Sequence, residues 1–333
     1  MRVGCINYAH KRGLGYLMRD FHRAGVVTDV LVVRHPGIPS CADEWYPPGT
    51  PSVQLRRLDA RVMRDFCAGM DAMLFFETPF DWSLIPFCRE RGIRTVLCPM
   101  MECTPIHHEP PDLYACPSLL DYEEYFPREK SIFLPLPTEY PWRLRERAEW
   151  YIHRGGYLGL RGREGTTLLI EAMKHVRCPL RLSISVQENV SAEHQRLCAH
   201  DHRIDYTAAT IPYEDLYAVG DVAVMPQKWN GCSLPMQEAC AAGLCVMASD
   251  RFPANSWLPK EPLIPVAGYI EGSQIGGAYM KFREAVIRPE DIAATMDRWY
   301  GQDVSAFSLA GRRWAEAHSW AALKDRWLGV LQA

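Results

Sequence analysis

Short apolar runs alternate with segments of helical spacing along most of this chain. RVGCIN (2–7) is an apolar, β-branched run followed by a turn holding Gly13 and Gly15. In LMRDFHRAG, residues Leu17, Met18, Phe21 and Ala24 recur at helical spacing and the pattern stops at Gly25. VLVV (30–33), AMLFF (72–76), RTVLC (94–98), LYAC (113–116) and SIFL (131–134) predict further strands, with LIPFCRERG a helix between two of them. Strands alternating with helices imply βαβ units and a parallel sheet.

The stretch PLPTEYPWRLRERAE (135–149) interrupts this rhythm with three prolines and a charged run, and reads as a linker. A second series follows. Strands are expected at 150–153, 180–186, 203–206, 221–226 and 244–249, and helices at 166–176, 191–199, YEDLYAVG (213–220) and LPMQEACAAG (234–243). The tail from AFSLAGRRW onward is helical in pattern. The expected architecture is α/β, with Rossmann-like domains over residues 1–140 and 150–300 facing a central cleft. Helices over 301–333 are expected to pack back on the first domain. In open parallel sheets, ligands bind at the carboxyl ends of the strands, so both domains present those ends to the cleft.

A length of 333 residues suits two cores. The hydrophobic fraction of 48% and charged fraction of 23% are those of an ordinary globular chain. No run approaches the roughly 18 apolar residues of a membrane span, and the N-terminus reads as a strand rather than a signal peptide. An integral membrane segment is therefore not expected, and the expected location is cytoplasmic. Net charge is −3, which gives no broad attraction to a polyanion. The twelve cysteines lack CxxC or zinc spacing, and Cys5, Cys98, Cys116, Cys240 and Cys245 sit in apolar runs as buried thiols do.

Candidate chemistry concentrates in the second half. HRGGYLGLRGREG (153–165) joins a strand to a helix, with Arg154, Arg161 and Arg163 among its glycines, Gly156 included. Glycines allow close backbone approach, and a helix start offers N–H groups and a positive dipole end, which together suit a diphosphate; the alternative is a solvated surface turn. The order is neither GxGxxG nor a P-loop.

KWNGCSLPMQEACAAGLCVMASD (228–250) resembles the retaining nucleotide-sugar glycosyltransferases of the GT-B fold, family four. REGTTLLIEAM and YEDLYAVGDVAVMP are similar to two further segments of that family, so the resemblance covers 150–250. RFPANSWLPKEPLIPV resembles a segment of a phage- and actinobacterium-like subgroup. The resemblance implies that Glu238 holds the ribose hydroxyls of a nucleotide, for which a carboxylate offers two acceptor oxygens. Asn230 stands where the family has a glutamate that touches the transferred sugar. The backbone of Gly231, Cys232, Ser233 and Leu234 is implied to face sugar and phosphate, with Pro235 suiting a helix start. Glu164 stands where the family has lysine. Arg163 or Arg161 is therefore expected to supply that charge, with Glu164 turned outward and Lys228 a further cation. Gly13 and Gly15 are candidate donor contacts from the first domain.

In the first domain His10, Glu77 and Glu102 end or follow strands, and loop residues without a role are the favoured reading of them. His107–His108–Glu109 lies among prolines with no third metal ligand in spacing, and no DxD occurs in a suitable place. Trp142, Trp229, Trp257 and Trp320 read as packing residues. The resemblance implies an enzyme that moves a sugar from a nucleotide-diphosphate sugar to a hydroxyl acceptor with retention, without metal or other cofactor. Acceptors consistent with it are a glycan, a lipid-linked sugar, a protein or a modified nucleobase. The alternatives are a donor-binding protein with weak or no transfer, motivated by Asn230 and Glu164, and a nucleotide-sugar epimerase on the same fold.

Overall fold

The computed structural model describes residues 1–332 except 12, 157–161, 188–190 and 276–277; the side chains of 273–281 are also outside the description. In chain order the first elements are β1 (Val3–Tyr8), α1 (Gly13–Arg23), β2 (Asp29–Arg34), α2 (Ala42–Trp45), β3 (Ser52–Gln54), α3 (Ala60–Ala68), β4 (Ala72–Phe76), α4 (Leu84–Arg89), β5 (Arg94–Cys98), β6 (Leu113–Cys116) and β7 (Ser131–Phe133). They are followed by β8 (Trp150–Gly156), α5 (Thr166–Ala172), β9 (Arg181–Val186), α6 (Ala192–Cys198), β10 (Ile204–Ala208), β11 (Val222–Met225), α7 (Leu234–Ala241) and β12 (Cys245–Ala248). The remainder is α8 (Ala254–Trp257), the ribbon β13 (Gly268–Ile275) and β14 (Ala278–Val286), α9 (Pro289–Trp299), α10 (Ser305–Ala317) and α11 (Trp320–Gln332).

The chain divides into two compact units. One comprises Met1–Pro137 with Trp320–Ala333, the other Thr138–Ser319. The first holds a seven-stranded sheet ordered β3-β2-β1-β4-β5-β6-β7, all neighbours parallel. Parallel strands are covered on both faces, so they read as unbroken apolar runs; β4 is buried along its whole length. Ile6, Leu31, Met73, Phe75 and Leu97 pack on one face with Met63 of α3 and Ile85 of α4. On the other face Phe21 of α1 meets Phe76, Trp320 and Trp327 at ring distances of 5.0, 4.8 and 4.9 Å. Trp327 is fully buried and its indole N–H donates to the Pro135 carbonyl at 3.1 Å.

The second unit has a five-stranded parallel sheet ordered β10-β9-β8-β11-β12. Period-two alternation divides its strand residues between two cores. Tyr151, Val222, Val224, Cys245 and Met247 pack with Leu169 of α5 and Ile292 and Met296 of α9. Ile152, Ala223, Met225, Val246 and Ala248 pack with Met236 and Ala239 of α7. Helix α10 crosses α7 so closely that a Cβ on Gly311 would lie 2.4 Å from the Cys240 carbonyl oxygen.

Two expectations are corrected. Residues 138–149 are an ordered strap on the second unit rather than a linker. Arg143 N–H donates to Ala242 at 3.2 Å, Trp142 Nε1 donates to Ser308 at 3.2 Å, and Tyr140 and Arg145 are buried. The helical tail is divided: α10 belongs to the second unit and α11 to the first. β3, α3 and the antiparallel β13–β14 ribbon were not anticipated. All twelve cysteines are free thiols. Among the described residues no helix is long and apolar enough to cross a membrane.

Candidate functional site

In the second unit the strand order reverses between β8 and β11, and at such a switch point the loops leaving the two strands open a crevice. The loop after β8 ends at Gly165, with φ of 76°, and a Cβ there would lie 2.1 Å from the Pro226 carbonyl oxygen. Only glycine tolerates both the left-handed backbone and that approach. Lys228 N–H donates to the Arg163 carbonyl at 2.8 Å and completes the seam between the two loops.

His153 fixes this seam from below. Its Nδ1 donates to the Val224 carbonyl at 2.7 Å, which leaves Nε2 to accept from the Thr166 hydroxyl at 2.8 Å. One neutral imidazole thus ties β8, β11 and the start of α5. Burial, the largest influence, pushes its pKa down to about 4. The sequence reading placed His153 in a strand and gave it no role.

The loop after β11 carries Asn230, which is buried. Its Nδ2 donates to Gln227 Oε1, and its Oδ1 accepts from Arg251 Nη2 at 2.6 Å. Ser233 Oγ also donates to Gln227 Oε1, at 3.1 Å. Arg251, itself buried, donates to the carbonyls of Gln227, Asn230 and Phe252 at 2.9, 3.2 and 3.0 Å. A planar guanidinium fork therefore spans both ends of the loop. Gln237 Nε2 donates to the Cys232 carbonyl at 2.7 Å. Ser233 precedes α7 with φ of 45°, an uncommon conformation for a side-chain-bearing residue, and Pro235 lies in the first turn. Pro235 has no N–H and the Met236 N–H donates to the Ser233 carbonyl at 3.0 Å, so the donors this helix start can offer at the mouth of the crevice are those of Ser233 and Leu234.

Glu238 stands one turn further along α7, half-buried. Its Oε2 accepts from the Tyr217 hydroxyl at 3.2 Å. Burial and the charge of Glu238 raise the Tyr217 pKa well above its ordinary value, so the phenol remains the donor. The helix expected over 213–220 is reduced to one 3-10 turn, Tyr213–Asp215. Carbonyls that an α-helix would use internally are taken by side chains. Tyr140 Oη lies 2.8 and 2.7 Å from the carbonyls of Tyr213 and Glu214 and accepts from Tyr217 N–H at 3.0 Å. Arg154 Nε donates to Leu216 at 2.7 Å, and Arg145 Nη2 to Tyr217 at 3.0 Å. Tyr140 and Arg145 come from the strap read as a linker, which hid their role.

The expected cations are engaged with neighbours. The Arg163 guanidinium lies 5.1 Å from the Trp229 ring centroid, and Trp229 packs on Phe282 of β14 at 4.9 Å. Lys228 Nζ lies 3.3 Å from Glu284. Glu164 is buried rather than turned outward. Burial raises its pKa, while Arg163 and Lys228 act in the opposite direction, so the carboxylate sits within reach of both cations' fields. Gly156 closes β8 with φ of 60°. Arg161 lies outside the described residues.

Gly13 and Gly15 belong to the first unit, in the first turn of α1 rather than in a loop. A Cβ on Gly15 would lie 2.1 Å from the His10 carbonyl oxygen, so close packing of α1 on the connection that leaves β1 accounts for that glycine. Beyond the strand ends of this unit His10 stacks on Tyr8 at 5.0 Å, and Glu77 has φ of 61°. Buried Glu102 neighbours Asp121, which accepts from the Ser118 hydroxyl at 2.5 Å and the Met101 N–H at 2.9 Å. Burial first, then the nearby Glu102, pushes the Asp121 pKa up to about 7. His107 stacks on Trp82 at 4.5 Å and Glu109 pairs with Arg89 at 2.8 Å. Among the described residues no group of three His, Cys, Asp or Glu side chains is placed to hold a metal ion.

Residues 154–260, which contain both loops, Asn230, Glu238 and Arg251, match the family model of the glycosyl transferases group 1. That segment therefore carries the signature of a group 1 glycosyltransferase. Its coordinates resemble Anabaena Alr3699/HepE in complex with UDP and glucose, at 10% identity and TM-score 0.69, covering 100% of this chain and 99% of that one. They also resemble sucrose-phosphate synthase from Thermosynechococcus elongatus, at 14% identity and TM-score 0.67 over 100% and 98% of the chains. A glycosyltransferase from Rickettsia africae is similar at 10% identity and TM-score 0.66 over 99% and 98%. These likenesses show that the chain has the GT-B fold. No curated protein matches its sequence.

Proposed function

We propose that this glycosyltransferase moves a sugar from a nucleoside-diphosphate sugar to a hydroxyl acceptor, with retention at the anomeric carbon. The observation that carries the reading is Glu238, a half-buried carboxylate held by Tyr217 on the helix that starts at the crevice of the second unit. Such a carboxylate suits a ribose diol, one oxygen for each hydroxyl, while the first turn of α7 faces developing negative charge on the leaving diphosphate. Arg163 and Lys228 add positive charge without a metal ion. The fold neighbour crystallised with UDP supports a uridine donor as the first to try. Acceptors of the proposed class are a glycan, a lipid-linked sugar, a protein or a modified nucleobase.

Asn230 supports a second reading, donor binding with little transfer. Its side-chain carbonyl is turned onto Arg251 and it carries no charge to stabilise a cationic sugar. Mass spectrometry after incubation with a panel of nucleotide sugars separates the two, since transfer or donor hydrolysis yields free nucleoside diphosphate. Glu238→Ala is expected to weaken donor binding by about 1–3 kcal/mol, the loss of a charged hydrogen-bonding partner. A folded variant with unchanged donor affinity would remove Glu238 from the site.

A further inference from the structure

We infer that Tyr217 is a positioning residue that acts through Glu238, with the 213–217 turn built to hold its hydroxyl in place. The inference rests on the reading of Glu238 as the ribose anchor.

A glutamate on the surface of a helix samples several rotamers, and freezing them on binding costs conformational entropy. Here one carboxylate oxygen is already held by the Tyr217 hydroxyl at 3.2 Å. A tether of this kind is useful only if its own origin is fixed, and Tyr217 is fixed from several sides. Its ring is buried and lies edge-on to Tyr140 at 5.3 Å. Its N–H donates to Tyr140 Oη and its carbonyl accepts from Arg145 Nη2, both at 3.0 Å. The preceding carbonyl, that of Leu216, accepts from Arg154 Nε at 2.7 Å. Two arginines and a tyrosine, from the strap and from β8, thus pin consecutive peptide groups of a turn that makes almost no helix of its own.

This density of side-chain-to-backbone bonds exceeds what closing a surface turn requires. Its product is one hydroxyl aimed at one carboxylate. A carboxylate has about four lone-pair sites, so a single held donor does not exhaust its capacity toward a vicinal diol, and the Tyr217 hydroxyl fixes the direction in which that capacity points. Pre-organised acceptors lose less freedom on binding, so the contribution appears in donor affinity and not in the chemical step.

The test is a double-mutant cycle on nucleotide affinity, read by calorimetry with whichever of UDP, GDP and ADP the wild type binds. Tyr217→Phe keeps the buried ring and removes only the hydroxyl. It is expected to weaken binding about five- to tenfold, raise the donor KM by the same factor and leave kcat within about twofold. In the Glu238→Ala background the same substitution is expected to change nothing, because its effect runs through the missing carboxylate. Equal losses in both backgrounds, or unchanged affinity in Tyr217→Phe, overturn the positioning role while leaving the donor reading intact. Unchanged affinity in Glu238→Ala overturns the donor reading and this inference with it. A thermal midpoint within a few degrees of wild type certifies that each variant is folded.

Discussion

Lowering the pH should destabilise the second unit through His153. The imidazole is neutral and buried, donating to Val224 and accepting from Thr166, so protonation destroys the second bond and places a charge in the sheet. Its pKa is about 4 in the folded protein against an ordinary value of 6.5. The folded state therefore binds its proton less readily than the unfolded chain. The contribution is fully present above about pH 6.5 and is lost as pH falls through about 4. From that gap the loss is about 2 kcal/mol at pH 5 and about 3 kcal/mol once pH lies below both values. Urea unfolding at pH 7, 6 and 5, followed through the many tryptophans of this unit, measures the slope for wild type and for His153→Gln. The variant loses overall stability but should also lose most of the pH dependence between 7 and 5. Equal slopes in the two proteins refute the assignment, as does a His153 ring resonance that titrates near 6.5.

Asp121 in the first unit works in the opposite direction. With its pKa raised to about 7, its contribution is present below about 3.8 and lost as pH rises through 7. Asp121→Asn should then stabilise that unit at pH 8 by about 1–3 kcal/mol, with the gain vanishing at pH 4, as read by the urea midpoint. Gly311→Ala should destabilise the second unit by about 1–3 kcal/mol, because the added methyl meets the Cys240 carbonyl at 2.4 Å and two helices must part. A melting temperature unchanged from wild type would show that α10 shifts without cost.

The alternating layout was legible because parallel strands buried on both faces leave unbroken apolar runs, as in β4 and β11. The ribbon β13–β14 was not, since its strands carry glycine and charge and lack the clean alternation of a half-buried hairpin. Motif order singled out Asn230 and Glu238, but not the groups that hydrogen-bond to them. Tyr217 and His153 sit in apolar runs where a polar side chain looks like filling, and Arg145 sits in a charged run that looks solvated. Such roles depend on partners 71 or 72 residues away in sequence, as for His153 with Val224 and Arg145 with Tyr217. Glu164 was expected to turn outward because a carboxylate facing a diphosphate would repel it, whereas it is buried within the fields of Arg163 and Lys228.

The assignment of α11 to the first unit has a consequence for how the protein is made. Residues 1–137 emerge from the ribosome without Trp320 and Trp327, the rings that complete the face around Phe21. The second unit, contiguous from 138 to 319, is by then fully synthesised. Vectorial synthesis thus hands the later unit its whole core first and leaves the earlier one unsealed until the closing helix is released. A nonsense mutation at Trp320 would spare the second unit and strand the first with an open apolar face, a product for quality control.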